Sequence, residues 1–146
     1  MTGTTGPTGT TGTTTAPRST ASGPGRVLVA VYAIFALAAC SRAGYQLVAK
    51  GHEAPLAYAL SAVAGVVYVV ATVGLARSLR LVATVAVGVE LLGVLTVGTL
   101  SILDPGAFPD ATVWSGFGQG YGYVPLVLPV VGLAWIRRTR GRRANG

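Results

Sequence analysis

The charged residues inside the apolar stretches are the side chains of this sequence that could do chemistry. Glu90 lies near the middle of an apolar run, 81–103, which is long enough to cross a bilayer core as a helix. An ionised side chain at the centre of a membrane helix costs about 2.5–3.5 kcal/mol on insertion scales, so Glu90 needs a partner and marks a candidate site. Ala86 and Gly93 flank it at helical spacing and leave room for a neighbouring helix.

Arg42, in the first apolar run, is the predicted partner of Glu90. Counted from the cytoplasmic ends of their helices, Arg42 lies ~22 Å deep and Glu90 ~14 Å deep, a difference that two long side chains can bridge. The pair is either a proton- or substrate-handling site or a structural ion pair that fixes helix register. If the two residues do not touch, Tyr68 or Thr72 of the second run is the next candidate partner of Glu90. Further polar side chains could support the pair: Tyr45, Gln46 and Tyr68.

Four apolar runs must position these residues. The chain of 146 residues is 51% hydrophobic and only 10% charged, whereas soluble domains carry about 25% charged residues. The sequence therefore predicts an all-α fold, a four-helix transmembrane bundle with antiparallel up-down topology. Pro125 and Pro129 are predicted to kink the fourth helix, because each removes a backbone hydrogen bond. The predicted spans are 27–49, 55–76, 81–103 and 119–136.

The distribution of Lys and Arg predicts the orientation. Positive charges are retained on the cytoplasmic side of a membrane, and four spans place nine of the eleven Lys and Arg on the side of both termini. Only Arg42 and Lys50 belong to the other side. Both termini are therefore predicted to be cytoplasmic, in a bacterial inner (plasma) membrane. The nine residues are Arg18, Arg26, Arg77, Arg80, Arg137, Arg138, Arg140, Arg142 and Arg143.

The segments outside the spans have distinct compositions. Residues 1–25 are rich in Thr, Gly, Pro and Ser and are predicted to be a disordered tail of the membrane domain, 26–137. Residues 138–146 form a basic tail that could bind anionic lipid. The connection 104–123 has no Lys or Arg and is aromatic, as is typical of a membrane–water interface. Its predicted interface residues are Trp114, Phe117 and Tyr121.

Several function classes are disfavoured by what the sequence lacks. It contains no nucleophile–base set, phosphate-binding loop or metal-ligand motif, so we expect neither enzyme activity nor a cofactor nor a metal. The net charge of +7 comes mainly from arginines that flank the apolar runs and set the membrane orientation, so nucleic acid is not an expected partner. The single cysteine, Cys40, lies on a ridge of small residues with Ala36 and Gly44 and is predicted to pack against another helix.

Two long strings carry a resemblance to a known group of proteins. SRAGYQLVAKGHEAPLAYALSAVAGVVYVVATVGL and VELLGVLTVGTLSILDPGAFPDATVWSGFGQGYGYVPLVLPVVGLAWIRR resemble small four-span integral membrane proteins of actinobacteria. The resemblance covers 26 to about 138. It implies the fold and an actinobacterial source, and it carries over no functional residue.

Two functions from different classes follow from these observations. The first is a non-enzymatic accessory or interaction subunit of the membrane, working with another membrane protein or as a homo-oligomer within the lipid bilayer. The second is a small transporter or channel built around Glu90 and Arg42. Water access to Glu90 discriminates between them, because a transport site needs a water path and a structural site does not.

Overall fold

Long helices make up most of the chain. The computed structural model describes residues 2–3, 23–50 and 52–144, and within them it contains no strand. Most of the N-terminal tail that is predicted to be disordered therefore lies outside the described residues. Two short 3₁₀ segments, Pro105–Ala107 and Ser115–Tyr121, stand between the last two long helices. The long helices are α1, Pro24–Lys50; α2, Pro55–Ala76; α3, Arg80–Leu103; and α4, Val124–Ala144.

The helices have the length and hydropathy of membrane-spanning elements. Three of them, α1 to α3, are long and apolar enough to cross a membrane, and α2 has the predicted bounds. A fourth crossing is counted if Ser115–Tyr121 and 124–141 are taken together, although these two pieces are bent by 99° relative to each other. The predicted all-α class is thus confirmed for the described residues, which have the character of a multi-pass membrane protein.

Small residues allow the first three helices to approach one another closely. A Cβ atom added to Gly65 of α2 would lie 3.0 Å from Sγ of Cys40, so the predicted packing role of Cys40 is seen in the structure. A Cβ atom at Gly74 would lie 2.8 Å from the backbone nitrogen of Ala83, which brings α2 and α3 together directly beside their short connection. Gly44, by contrast, has no neighbour at its Cβ position.

The helices pack in chain order around one core. The main contacts join α1 to α2, α2 to α3 and α3 to α4, while α1 and α4 touch at only a few points. Rising residue numbers on one helix meet falling numbers on the next, as Tyr32 meets Tyr68 and Cys40 meets Gly65. Large apolar side chains are exposed along the outer faces of all four helices, as lipid-facing surfaces require.

The fourth helix begins later than predicted. Residues 118–121 do not start it, because Gly116, Phe117 and Gly118 all have positive φ values, between 56° and 81°, which no right-handed helix contains. The predicted kink at Pro125 is also wrong. Pro125 lies in the first turn of α4, where an N–H group has no helical partner in any case.

The other end of α4 is longer than predicted. Pro129 lies inside the helix, which continues to Ala144 rather than ending near 136. The first part of the basic tail is consequently helical, and it carries Arg138 and Arg140.

The connection between α3 and α4 folds back between the helices. We call residues 112–121 the inserted segment. Its turn is closed locally, because Oγ1 of Thr112 accepts hydrogen bonds from the backbone nitrogens of Trp114 and Ser115, at 3.1 and 3.0 Å. Glycines of α3 make room for its rings. A Cβ atom at Gly93 would lie 2.7 Å from the Trp114 ring, and one at Gly98 would lie 2.6 Å from the Phe117 ring.

Candidate functional site

Glu90 lies at the centre of the bundle and has no solvent-exposed surface. Its Oε2 atom accepts a 2.8 Å hydrogen bond from the hydroxyl group of Tyr32, which is also fully buried. The hydroxyl group of Tyr68 interacts electrostatically with the same carboxyl group. Oε1 of Glu90 has no hydrogen-bond partner among the described residues. Helices α1, α2 and α3 thus each contribute one polar side chain to a single site, which we call the Glu90 cluster: Tyr32, Tyr68 and Glu90.

The inserted segment and α4 enclose this cluster. Nε1 of Trp114 donates a 3.3 Å hydrogen bond to the Tyr68 hydroxyl group, and the Trp114 side chain is itself buried. From α4, Gly132 approaches so closely that an added Cβ atom would lie 3.1 Å from the Tyr32 hydroxyl oxygen. Every long helix therefore contacts the Glu90 cluster directly or covers it.

Aromatic rings fill the space beside the cluster. The ring centroids of Tyr32 and Tyr68 are 6.3 Å apart, and those of Phe35 and Tyr68 are 5.7 Å apart. Phe35 also packs edge-on against Tyr121, at 5.9 Å. These separations are in the range in which aromatic pairs add to the stability gained by burial. With these rings beside it, the Glu90 side chain has no solvent-exposed surface.

Arg42 does not pair with Glu90, and the predicted ion pair is wrong. Within the described ranges the ion pair present is Lys50–Glu53, at 3.5 Å on the surface. Arg42 lies ten residues beyond Tyr32 on α1, which is ~15 Å further along the helix axis. Tyr32 occupies the level of Glu90, so the arginine is too far towards the other end of the bundle.

Arg42 instead holds the inserted segment and the residues just before it. Its Nη2 atom donates a 2.6 Å hydrogen bond to the backbone oxygen of Ala111, and its Nη1 atom donates one of 3.2 Å to the Tyr121 hydroxyl group. Tyr58 supports the same connection from α2, since its hydroxyl group donates to Oδ2 of Asp110 at 2.7 Å. These contacts fasten the connection to α1 and α2.

The remaining predicted polar residues lie in different surroundings, and most of them do not reach Glu90. Gln46 is buried one turn beyond Arg42, and its Oε1 atom has no partner in the part of the chain that the structure describes. Tyr45 is 65% exposed and takes no part in either polar group. Thr72 donates its hydroxyl hydrogen to the backbone oxygen of Tyr68 within α2, at 2.7 Å, and does not reach Glu90. Among the predicted supporting residues, only Tyr68 contacts Glu90.

Of the three predicted interface aromatics, Trp114 lies inside the molecule, whereas Phe117 and Tyr121 are half-buried. Trp114 is buried in the core, because Gly93 leaves a space for its ring and Tyr68 accepts its N–H hydrogen bond. Phe117 is half-buried against Gly98. Tyr121 is half-buried between Phe35 and Arg42. An interface belt needs rings exposed to lipid headgroups, and the burial of Trp114 excludes that role for it.

Tyr32 is the functional residue that the sequence analysis missed. A signal for it existed: counted from the starts of the predicted spans, Tyr32 lies at ~8 Å and Glu90 at ~14 Å, so Tyr32 is closer to the level of Glu90 than Arg42 is, at ~22 Å. A search for any hydroxyl group at that level, rather than for a countercharge, would have found it.

The chemistry open to this site is narrow. The Glu90 cluster holds one carboxyl group and two phenols, with the indole N–H of Trp114 beside it, so it can bind a proton or accept hydrogen bonds. No group of three or more His, Cys, Asp or Glu side chains with metal-binding geometry occurs among the described residues. Neither of the two main cavities in the described part of the chain is lined by Glu90.

Relatives do not assign a role to the site. Comparison with protein-family models, with curated proteins and with solved structures found no match to this chain.

Proposed function

We propose that this chain is a non-enzymatic accessory or interaction subunit of a bacterial inner membrane, with four spans and both termini in the cytoplasm. The inserted segment and α4 together make the fourth crossing in this proposal. The resemblance of 26–138 to small actinobacterial membrane proteins suggests the source. The partner is another membrane protein or a second copy of the chain.

The separation of charge along the bundle supports the proposed orientation. One end carries Arg26, Arg77 and Arg80 together with the arginines of α4. Glu53, Asp104 and Asp110 lie at the other end, which the connections of α1 to α2 and of α3 to α4 form. Because positively charged residues are retained in the cytoplasm, the arginine-rich end faces inward in this proposal.

The enclosure of Glu90 is the observation that carries the non-transport role. Its side chain is 0% exposed, and Tyr32, Tyr68 and Trp114 surround it. A carboxyl group that moves ions or substrate must be reached by water from at least one side, whereas a group that joins helices gains from being dry. The geometry therefore favours a structural Glu90, which fixes the register of α1, α2 and α3.

A transporter or channel is the second candidate, and one observation favours it. Oε1 of Glu90 is buried without a hydrogen-bond partner among the described residues, and an unpaired acceptor of this kind is a site at which a proton or a water molecule could bind. Arg42 is no part of this alternative, because its guanidinium group is bound to the inserted segment and Ala111.

Ion flux distinguishes the two candidates. The full-length protein, reconstituted in liposomes, is expected to leave proton and potassium permeability at the level of protein-free liposomes, both as wild type and as Glu90→Gln. Glu53→Gln, which alters an exposed carboxylate, is the matched control. Wild-type flux that Glu90→Gln abolishes and Glu53→Gln retains would establish the transport alternative.

The interaction role needs its own measurement. Affinity purification of the tagged chain from its native membrane in mild detergent is expected to recover either one membrane protein at fixed stoichiometry or a defined homo-oligomer. Recovery of a monomer without any partner would contradict the proposal.

A further inference from the structure

The arginine-rich end of the bundle contains a cavity of about 490 Å³ where α1, α2, α3 and α4 meet. This volume is within the range of ligand-binding pockets, which is roughly 300–1,000 Å³. Arg26 and Arg80 line it, and apolar side chains such as Leu75 and Ile136 form much of its wall. Trp135 of α4 also lines the cavity and packs against Gly25, where an added Cβ atom would lie 3.0 Å from its ring.

No Asp or Glu side chain lies close to the arginines of this cavity. The sequence has four acidic residues: Glu90 is buried at the centre of the bundle, and the other three belong to connections at the opposite end. Arg80 donates one hydrogen bond, from Nη2 to the backbone oxygen of Thr139 at 3.1 Å, which fixes its side chain beside α4. No Asp or Glu side chain of the sequence therefore neutralises Arg26 and Arg80, and an external anion can bind them.

The cavity is open to the surroundings of the bundle. It lies between α1 and α4, which touch at few points, and its lining includes the exposed residue Ala30. A cavity with apolar walls, two arginines and a tryptophan presents the two chemistries of a phospholipid, an anionic headgroup and an acyl chain. A soluble anion would use only the arginines.

We propose that this cavity is a binding site for an anionic phospholipid, with its phosphate on Arg26 and Arg80 and its upper acyl chain along Leu75, Ile136 and Trp135. Charge complementarity and the apolar wall select this occupant over a soluble phosphate. Basic pockets between membrane helices are known to take anionic headgroups in this way. The inference does not depend on whether the chain is an accessory subunit or a transporter.

Quenching of Trp135 by brominated lipid tests the proposal. The full-length protein is reconstituted in phosphatidylcholine that contains a small fraction of brominated phosphatidylglycerol or, in parallel, brominated phosphatidylcholine. Trp114 is 2% exposed and lies in the core, so it contributes a constant background. We expect stronger quenching by the anionic lipid. Arg26→Gln combined with Arg80→Gln should weaken the preference on the order of 30-fold, since each basic charge near a membrane surface contributes roughly fivefold.

Matched variants separate a site from diffuse charge. Arg137→Gln with Arg138→Gln removes two charges from the same end without touching the lining, and it is expected to retain most of the preference. If the double variant of Arg26 and Arg80 does not fold, Ala30→Leu fills the cavity from α1. Ala38→Leu, on an exposed position of the same helix away from the cavity, is its control.

Four outcomes would overturn the proposal. They are equal quenching by the two lipids, equal loss of preference in both arginine pairs, an unchanged preference in Ala30→Leu, and displacement of the brominated lipid by inorganic phosphate. The last of these would identify a soluble anion as the occupant. Loss of preference in the lining variants alone supports the lipid site.

Discussion

At the scale of single residues, Glu90 is stabilised by a phenol rather than by a countercharge. The Tyr32 hydrogen bond satisfies one carboxyl oxygen at 2.8 Å, and the Glu90 side chain has no solvent-exposed surface. Arg42, the only cation within the apolar part of the first helix, takes the backbone oxygen of Ala111 and the Tyr121 hydroxyl group instead. A buried charge pair would have had to repay the desolvation of two ions, whereas a phenol–carboxyl contact desolvates at most one.

A pair of double-mutant cycles tests this assignment. Tyr32→Phe is expected to destabilise the protein by roughly 0.5–2 kcal/mol, and its combination with Glu90→Leu, which removes the acceptor, should show a coupling energy of at least about 0.5 kcal/mol. Arg42→Met and Glu90→Gln should instead be additive, because the two residues share no partner. The measurement is the free energy of unfolding in detergent micelles. If the Arg42–Glu90 cycle showed coupling and the Tyr32–Glu90 cycle were additive, Arg42 rather than Tyr32 would be the partner of Glu90.

The residue that needed a partner could be predicted from the sequence, but the partner could not. An isolated carboxyl group in an apolar helix is conspicuous, so the sequence predicts Glu90 as the centre of a candidate site, and the structure buries it beside Tyr32. Its partner depends on the rotation of α1 about its axis, which turns Tyr32 inward and Tyr45 outward. The charge pattern of the sequence does not indicate this rotation, since Tyr32 and Tyr45 are both tyrosines in apolar surroundings.

At the scale of elements, the inserted segment is what distinguishes this bundle from four plain helices. Its left-handed residues, from Gly116 to Gly118, turn the chain so that Trp114 and Phe117 enter the bundle against α3. The three full-length helices followed from hydropathy, because their length and composition leave few alternatives. The inserted segment did not, since its aromatic and glycine-rich composition is also typical of an interface loop, and the complementary glycines of α3 appear in sequence as ordinary small residues of a membrane helix.

Glycine substitutions in α3 test this packing. Gly98→Ala is expected to destabilise the protein by about 1–3 kcal/mol, the usual cost of overpacking, because the new Cβ atom would lie 2.8 Å from the backbone nitrogen of Phe117. Gly88→Ala is the matched control on the same helix. Its Cβ position has no neighbour within 4 Å, so the gain in helix propensity should leave the unfolding free energy unchanged or slightly raised. Equal effects at the two positions would contradict the inserted arrangement.

The environment of Trp114 gives an independent test at this scale. In a Trp135→Phe background, Trp114 fluorescence should resist quenching by aqueous acrylamide and also by quenchers attached to lipid headgroups, because its side chain is 2% exposed. Efficient quenching of Trp114 by headgroup-attached quenchers would instead support its predicted position at the membrane–water interface.

At the scale of the whole molecule, the charge distribution sets the expected topology. Reporter fusions at Arg80 and at the C-terminus are expected to report the cytoplasm, while a tag between Asp104 and Asp110 should be reached from outside, since the arginines gather at one end. A cytoplasmic tag in that connection would contradict the orientation, and a C-terminal reporter on the same side as that tag would show that α4 does not complete a fourth crossing.

If the polar core around Glu90 is dry and structural, water cannot reach the side chain at position 90. Labelling of a cysteine at that position tests this most directly. In a Cys40→Ala background, a membrane-impermeant thiol reagent is applied from each side to Glu90→Cys and, as the accessible control, to Ser78→Cys in the exposed α2–α3 connection. Rapid labelling is expected at position 78 and none at position 90 until the protein is unfolded. Labelling at position 90 from either side in the folded protein would reveal a water path and contradict a dry, structural role for Glu90.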